Sequence, residues 1–277
     1  MRFKTFGAVQ AAALSLTLVF LLLPLSAIFI RPGLTEIVRQ LGSEAVLDAL
    51  RVTAITSLIA HVFVLVVGTP AAYALATRRF PGRNLAISVI ELPLVLPPAV
   101  AGVGLLAAFG RQGLLGDSFD VLGLRIPFTQ AAVVMAVVFV SAPFHIRGSL
   151  SAFEAVDQNV VAAARTLGAR PGRLFWRVAL PLAGSGVGAA STLAFARGLG
   201  EFGATIIFAG SFQGRTQTLP LAIYSEFDRD FNQALAIGAF LIVVSVVMLL
   251  AAKVVPRWTR SMWISPSRSG STSSMSP

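Results

Sequence analysis

A chain of 277 residues that is 56% hydrophobic and only 12% charged, with a mean hydropathy of +0.81, does not fit a soluble globular domain, which carries about twice that share of charge. It has no cysteine, which excludes disulfides and thiolate metal sites, and its two histidines, His61 and His145, are too few for a histidine metal centre. The formal charge of +10 reads as membrane topology and gives no ground for nucleic-acid binding.

The apolar residues gather into six runs, at 8–30, 52–77, 85–109, 129–146, 186–209 and 234–255, each near the roughly 20 residues that cross a bilayer. The runs are continuous rather than alternating, which argues against a barrel. They predict an all-α integral membrane protein of six transmembrane helices. The first run follows Arg2 and Lys4 and could be mistaken for a signal peptide. It exceeds the roughly 7–15 apolar residues of such a signal, and no small-residue cleavage site follows. Residues 1–51 are therefore read as a retained span and its outer loop, and 52–255 as the core. The Ser-rich end, 256–277, is read as a disordered cytoplasmic tail. With six spans both termini share a side, and fourteen of the 22 Lys and Arg fall on it, so that side is expected to be the cytoplasm.

In the second run His61 stands alone and reads as a structural histidine. The third run holds Glu91-Leu92-Pro93, then Pro97-Pro98 and Gly102-Val103-Gly104. Proline removes backbone donors and breaks helices, and irregular backbone at membrane depth is tolerated where it lines a cavity or is buried in protein. Glu91, Pro93, Pro97 and Pro98 are therefore candidates for a pathway wall or gate. His145, near the end of the fourth run, reads like His61.

The segment 148–185 is different. It is basic and polar between two very apolar runs. Residues 153–167 are good helix formers, Gly168 stands where a C-cap ends a helix, and Pro171 resets the chain. A second apolar-basic piece, 174–180, runs up to Pro181. The pattern suits either an amphipathic helix lying on anionic lipid or a docking surface for a soluble partner, since Ala163 and Ala164 let another surface come close. In the fifth run Gly184 and Gly188 form a small-xxx-small pattern. Arg197 and Glu201, four apart on one helical face, are expected to neutralise one another. Arg197 could also meet a passing anion as a weak, transient ligand. Thr205 and Ser191 offer hydroxyls that could meet a passing anion, with core packing the first reading of each. No internal repeat supports an inverted-repeat carrier.

The basic loop resembles the EAA loop of ABC importer permeases. The match is Ala162-Ala163-Ala164, Arg165-Thr166-Leu167, Gly168, and later Val178-Ala179-Leu180-Pro181. Ala162 stands where the family has Glu, and Val178 where it has Ile. Gly200-Glu201-Phe202-Gly203-Ala204-Thr205, Ala209-Gly210 and the run from Gly214 to Tyr224 are similar to the molybdate permease branch, to which sulfate and tungstate permeases are close. The resemblance covers about 52–255. It implies a type I ABC importer permease, multi-pass in a bacterial or archaeal inner membrane, with two copies forming the pathway. Two cytoplasmic ATPases would bind ATP and grip the loop at Ala162, Ala163, Ala164, Arg165, Leu167, Gly168, Arg170, Leu180 and Pro181. An extracytoplasmic binding protein would deliver the oxyanion, molybdate first. The chain itself is expected to hold no cofactor, metal or catalytic site. Its nearest P-loop look-alike, Gly214-Arg215-Thr216, has Ala209 for the first Gly and Arg for Lys. An ATP-independent anion channel or carrier is the alternative of another class and has no need of a docking loop.

Overall fold

The computed structural model describes residues 2–263, and among them there are helices and turns but no strand. The expectation for 264–277, the larger part of the tail, lies outside the described residues. α1 (Arg2–Ile30) is peripheral: none of its apolar window is buried. Its end is tied to the last helix, where Arg31 lies over the Phe231 ring at 4.8 Å. α2 (Leu34–Leu41) is a short amphipathic helix that buries Ile37 against Ala236 and Ala239.

α3 (Glu44–Phe63), a wider π-type turn at Val64–Gly68 and α4 (Thr69–Thr77) make one rod. α5 (Arg83–Val95) and α6 (Pro98–Phe109) follow, and α7 (Gly116–Val121) is a short connecting helix. α8 (Gln130–Glu154) is the central span. α9 (Gln158–Thr166) crosses one end of the bundle. α10 (Pro171–Leu174), a second π-type turn at Phe175–Ala179 and α11 (Leu180–Leu199) form another continuous rod. α12 (Gly203–Ala209) and α13 (Leu219–Glu226) are short. α14 (Phe231–Trp263) closes the chain and runs eight residues into the stretch read as tail.

The third apolar run is not one helix. Its halves, α5 and α6, are bent by 116°. Leu96 and Pro97 both take extended ψ values, 135° and 131°, as residues before proline are pushed to do. Pro98 then opens α6 at a first-turn position where a missing N–H costs nothing. Five helices are long and apolar enough to cross a membrane, or six if the bent pair counts as one span. The basic loop differs as well. Residues 153–167 are not one helix, because α8 stops at Glu154 and the Asp157 carboxylate accepts from Asn159 N at 2.8 Å to start α9.

α8 packs most extensively against α11. A Cβ built on Gly186 would lie 2.5 Å from the Ala152 Cβ, one on Gly148 would lie 2.6 Å from the Ala190 Cβ, and one on Gly198 would lie 2.9 Å from Val137. The contact stripe on α11 is thus Gly186, Ala190, Ala194 and Gly198. The expected pair is displaced by two residues, since Gly184 meets nothing within 4 Å. Both small-residue registers are present in the sequence, and only the neighbouring helix selects one. At the α9 end, Tyr73, Phe153 and Phe175 interlock, with Tyr73 centred 5.2 Å and 4.9 Å from the other two rings.

Gly186→Leu is therefore expected to force α8 and α11 apart and to destabilise the protein by about 1–3 kcal/mol. Gly184→Leu is expected to leave the melting temperature in detergent unchanged. Equal melting temperatures for the two variants would contradict this packing.

Candidate functional site

α9 is anchored by one face. Val161 is buried, and Ala164 packs partly, in a cluster with Phe153, Val156, Leu174 and Phe175. The opposite face carries Ala162, Ala163 and Arg165, all exposed. Leu167 ends it, 87% exposed. The helix is closed by Gly168 N donating to Arg165 O and Ala169 N donating to Ala164 O, both at 3.0 Å. Gly168 sits at φ +77, a left-handed C′ position where a side chain strains the backbone. Arg170 is exposed just before Pro171 opens α10.

Seven of the nine residues expected at this surface are exposed, six of them together on α9 and the turn after it. Ala164 and Leu180 pack partly into the core, and Pro181 lies in the first turn of α11. Trp176, 66% exposed beside them, was not singled out in the sequence. A tryptophan in a basic amphipathic stretch at a membrane boundary is the signal that finds it.

The second candidate region lies where two breaks meet. α11 stops at Leu199 and α12 begins at Gly203. Arg197 Nη1 approaches Glu201 Oε2 to 3.0 Å, with the Glu201 side chain only 1% exposed and that of Arg197 30%. The other oxygen, Oε1, accepts from Ala204 N at 2.8 Å. Glu201 therefore neutralises Arg197 and also fills the start of α12, where unpaired amides favour a carboxylate. Oε2 has the close cation but no aligned hydrogen bond, so the amide contact is the better directed of the two.

α6 lies tightly on this junction. A Cβ on Gly203 would fall 2.8 Å from the Pro98 Cβ, and one on Gly102 would fall 2.8 Å from Ala204 O. Pro97, Pro98, Glu201 and Thr205 are thus assembled around the α6–α12 contact. Thr205 is fully buried and its Oγ1 has no partner. Glu91 is not part of this group. It pairs with Arg147 of α8, Oε1 to Nη1 at 2.9 Å, while Pro93 lies within α5.

Both histidines are held by hydroxyls. His61 Nε2 is 3.0 Å from Ser191 Oγ and meets the Phe195 ring edge-on. His145, fully buried, places Nε2 2.8 Å from Thr69 Oγ1. Ser191 is thereby engaged within the bundle. Gly214-Arg215-Thr216 lies in a turn that satisfies itself: Thr216 Oγ1 accepts from Phe212 N and donates to Gly210 O. Among the described residues no group of three or more His, Asp or Glu could hold a metal.

Residues 65–261 match the family described as "Binding-protein-dependent transport system inner membrane component". The chain belongs to this family. It is 42% identical to the molybdenum transport system permease protein ModB of Mycobacterium tuberculosis, over 84% of this chain and 88% of that protein. ModB of Escherichia coli K12 is 38% identical over 78% and 92%. The sulfate transport system permease protein CysW of Synechocystis is 33% identical over 93% and 95%.

Among solved structures, a chain of the bacterial alginate ABC transporter in complex with its pentasaccharide-bound periplasmic protein superposes with a TM-score of 0.73 at 17% identity, covering 94% of this chain and 96% of that one. One from the inward-facing methionine transporter MetNI gives 0.59 at 19%, covering 77% and 95%. These likenesses concern the fold, which is that of a type I ABC importer permease. The protein is a multi-pass inner-membrane permease component, and such components are not catalytic.

The Arg197–Glu201 geometry yields a mutational test by melting in detergent. Arg197→Ala leaves a buried carboxylate without its counter-charge and is expected to cost about 3 kcal/mol. Glu201→Ala also removes the start of α12, whereas Glu201→Gln retains an acceptor for Ala204 N and is expected to be milder than Glu201→Ala. The double Ala variant should be less destabilised than the sum of the singles. Strict additivity would show that the pair is not coupled.

Proposed function

We propose that this permease forms the membrane pathway of an ATP-driven importer for a tetrahedral oxyanion, with molybdate as the substrate. The observation that carries the reading is the 42% identity to a molybdenum permease over most of both chains. The sulfate relative at 33% makes sulfate or tungstate transport by the same machinery the second reading. In this proposal two copies enclose the pathway and a binding protein delivers the anion at the end opposite α9. A pair of ATPase subunits, which hold the ATP, grips α9 from the cytoplasm, the side that also holds both termini.

The geometry supports such coupling. α9 offers a small-residue face at Ala162 and Ala163, an exposed apolar knob at Leu167 and a fixed turn at Gly168. The rod Pro171–Leu199 follows α9 after a short turn and leads to the junction with α12. A displacement of α9 therefore has a stiff path to the α6–α12 contact. The dianion is not clamped on the way. Arg197 is engaged by Glu201, so the cation of this region is already neutralised, and a substrate that must leave is handled by hydroxyls and amides. High affinity then belongs to the binding protein.

Uptake of molybdate by cells expressing the permease with its ATPase and binding protein tests this reading. Gly168→Trp and Leu167→Asp are expected to abolish uptake while membrane insertion stays normal. Excess sulfate is expected to compete poorly. Uptake that persists without the ATPase would sink the importer reading in favour of a channel or carrier. For orientation, a Cys replacing Asp228 should react with an impermeant maleimide in intact cells and one replacing Arg173 should not. The reverse labelling overturns it.

A further inference from the structure

At the end of the bundle that carries α9 there are two adjoining clefts, one of about 300 Å3 between the start of α5 and the end of α8 and one of about 270 Å3 between the α4–α5 turn and the start of α5. Arg83 and Asn84 line both, Arg79 lines one, and Ser88, Arg147 and Glu154 line the other. Arg83 is fixed in place: its Nη2 donates to Glu154 Oε1 at 2.6 Å and its Nε to Leu75 O at 2.7 Å. Arg147 spends one nitrogen on Glu91, 2.9 Å away, and its side chain stays 56% exposed. Arg79 is exposed. Three guanidinium groups thus face two carboxylates, and the clefts keep a net positive charge. The first turn of α5 contains no acid and no side-chain cap, which adds to the positive field.

The surface changes character immediately beyond. Leu85, Val89 and Leu92, at successive turns of α5, are exposed and apolar, on a segment that counts toward a membrane span. A basic polar head thus continues into an apolar stripe at bilayer depth. A free anion would match only the head. A lipid with an anionic headgroup matches both parts, as basic pockets between transmembrane helices do elsewhere.

We propose that these clefts bind the phosphate of an anionic phospholipid, of the phosphatidylglycerol class, from the leaflet on the α9 side. Arg79 and Arg147 supply charge, Asn84 and Ser88 supply hydrogen bonds, and an acyl chain lies along Leu85, Val89 and Leu92. The site is independent of the transported substrate. It sits over the two ion pairs that hold α5 to α8, so an occupied site steadies the arm that leads to the Pro97-Pro98 break.

Native mass spectrometry of the full chain in detergent, titrated with phosphatidylglycerol or with phosphatidylcholine of the same acyl chains, tests the proposal. Wild type is expected to hold one phosphatidylglycerol at about tenfold lower concentration than phosphatidylcholine. Arg79→Gln should reduce that preference about fivefold, roughly the effect of one surface arginine, and Arg79→Lys should retain most of it. Ser88→Trp, which fills a cleft, should abolish it, and Arg229→Gln, at the opposite end, should not change it. If Ser88→Trp melts early in detergent, the Arg79 pair decides alone. Equal binding of the two lipids by wild type, or an unchanged preference in Arg79→Gln, overturns the proposal. Displacement of phosphatidylglycerol by millimolar inorganic phosphate or molybdate also overturns it, because the clefts would then read a free oxyanion.

Discussion

The close approach of α8 and α11 is the constraint on which the rest of the molecule depends. Between helices in a bilayer there is no hydrophobic driving force, because lipid tails are as apolar as the side chains they touch. Contact must come from packing, and packing at this distance needs residues without bulk. Gly148 and Ala152 on one helix meet Gly186 and Ala190 on the other. The two helices are joined at one end by α9 and its turn. At the other end α11 gives way to α12, which rests on both α6 and α8. A single shared seam therefore fixes the position of the loop surface and of the α6–α12 junction together.

Polar groups within this bundle are few, and most have a local partner. His61 and His145 each rest on a hydroxyl. Glu201 divides its oxygens between a cation and an amide. Thr53 accepts from Leu219 N at 2.8 Å and so docks α13 onto α3. The exceptions are therefore conspicuous. Thr205 and Thr218 each bury a hydroxyl without a partner and belong to the short segments that follow the interruption of α11, while Glu201 Oε2 and the second ring nitrogen of His145, Nδ1, are also buried without a hydrogen bond. An unsatisfied buried group costs free energy, and three of these four atoms lie after α11 is interrupted, the fourth inside α8.

The helical class and the approximate position of the apolar runs were legible because they rest on composition and on local patterns. So was the Arg197–Glu201 pair, since four-residue spacing places both on one face. What was not legible depended on neighbours. Gly184 and Gly186 look alike in the sequence, and only α8 distinguishes them. Glu91 reads as an intramembrane acid in need of a function, yet Arg147, 56 positions later, lies beside it. The end of α8 at Glu154 escaped because residues 153–167 are all tolerable helix formers. Only the Asp157 cap, a side-chain contact to Asn159 N, interrupts them. The two π-type turns left no sequence signature that periodicity could detect.

The bend between α5 and α6 bears on how the protein reaches the membrane in the first place. The arms have 13 and 12 residues, and a helix needs about 20 to cross a bilayer. Neither arm is long enough to be retained as an independent span while the chain is being synthesised. The extended linkage at Leu96 and Pro97 also cannot face lipid, where unpaired backbone groups find no partner. The pair must therefore enter as one unit. One side of its corner is covered by α12, made more than ninety residues later, which closes against Pro98 and Gly102, while Pro97 itself stays exposed in the single chain. The covered side of the corner is therefore completed only after the chain's second half has been made.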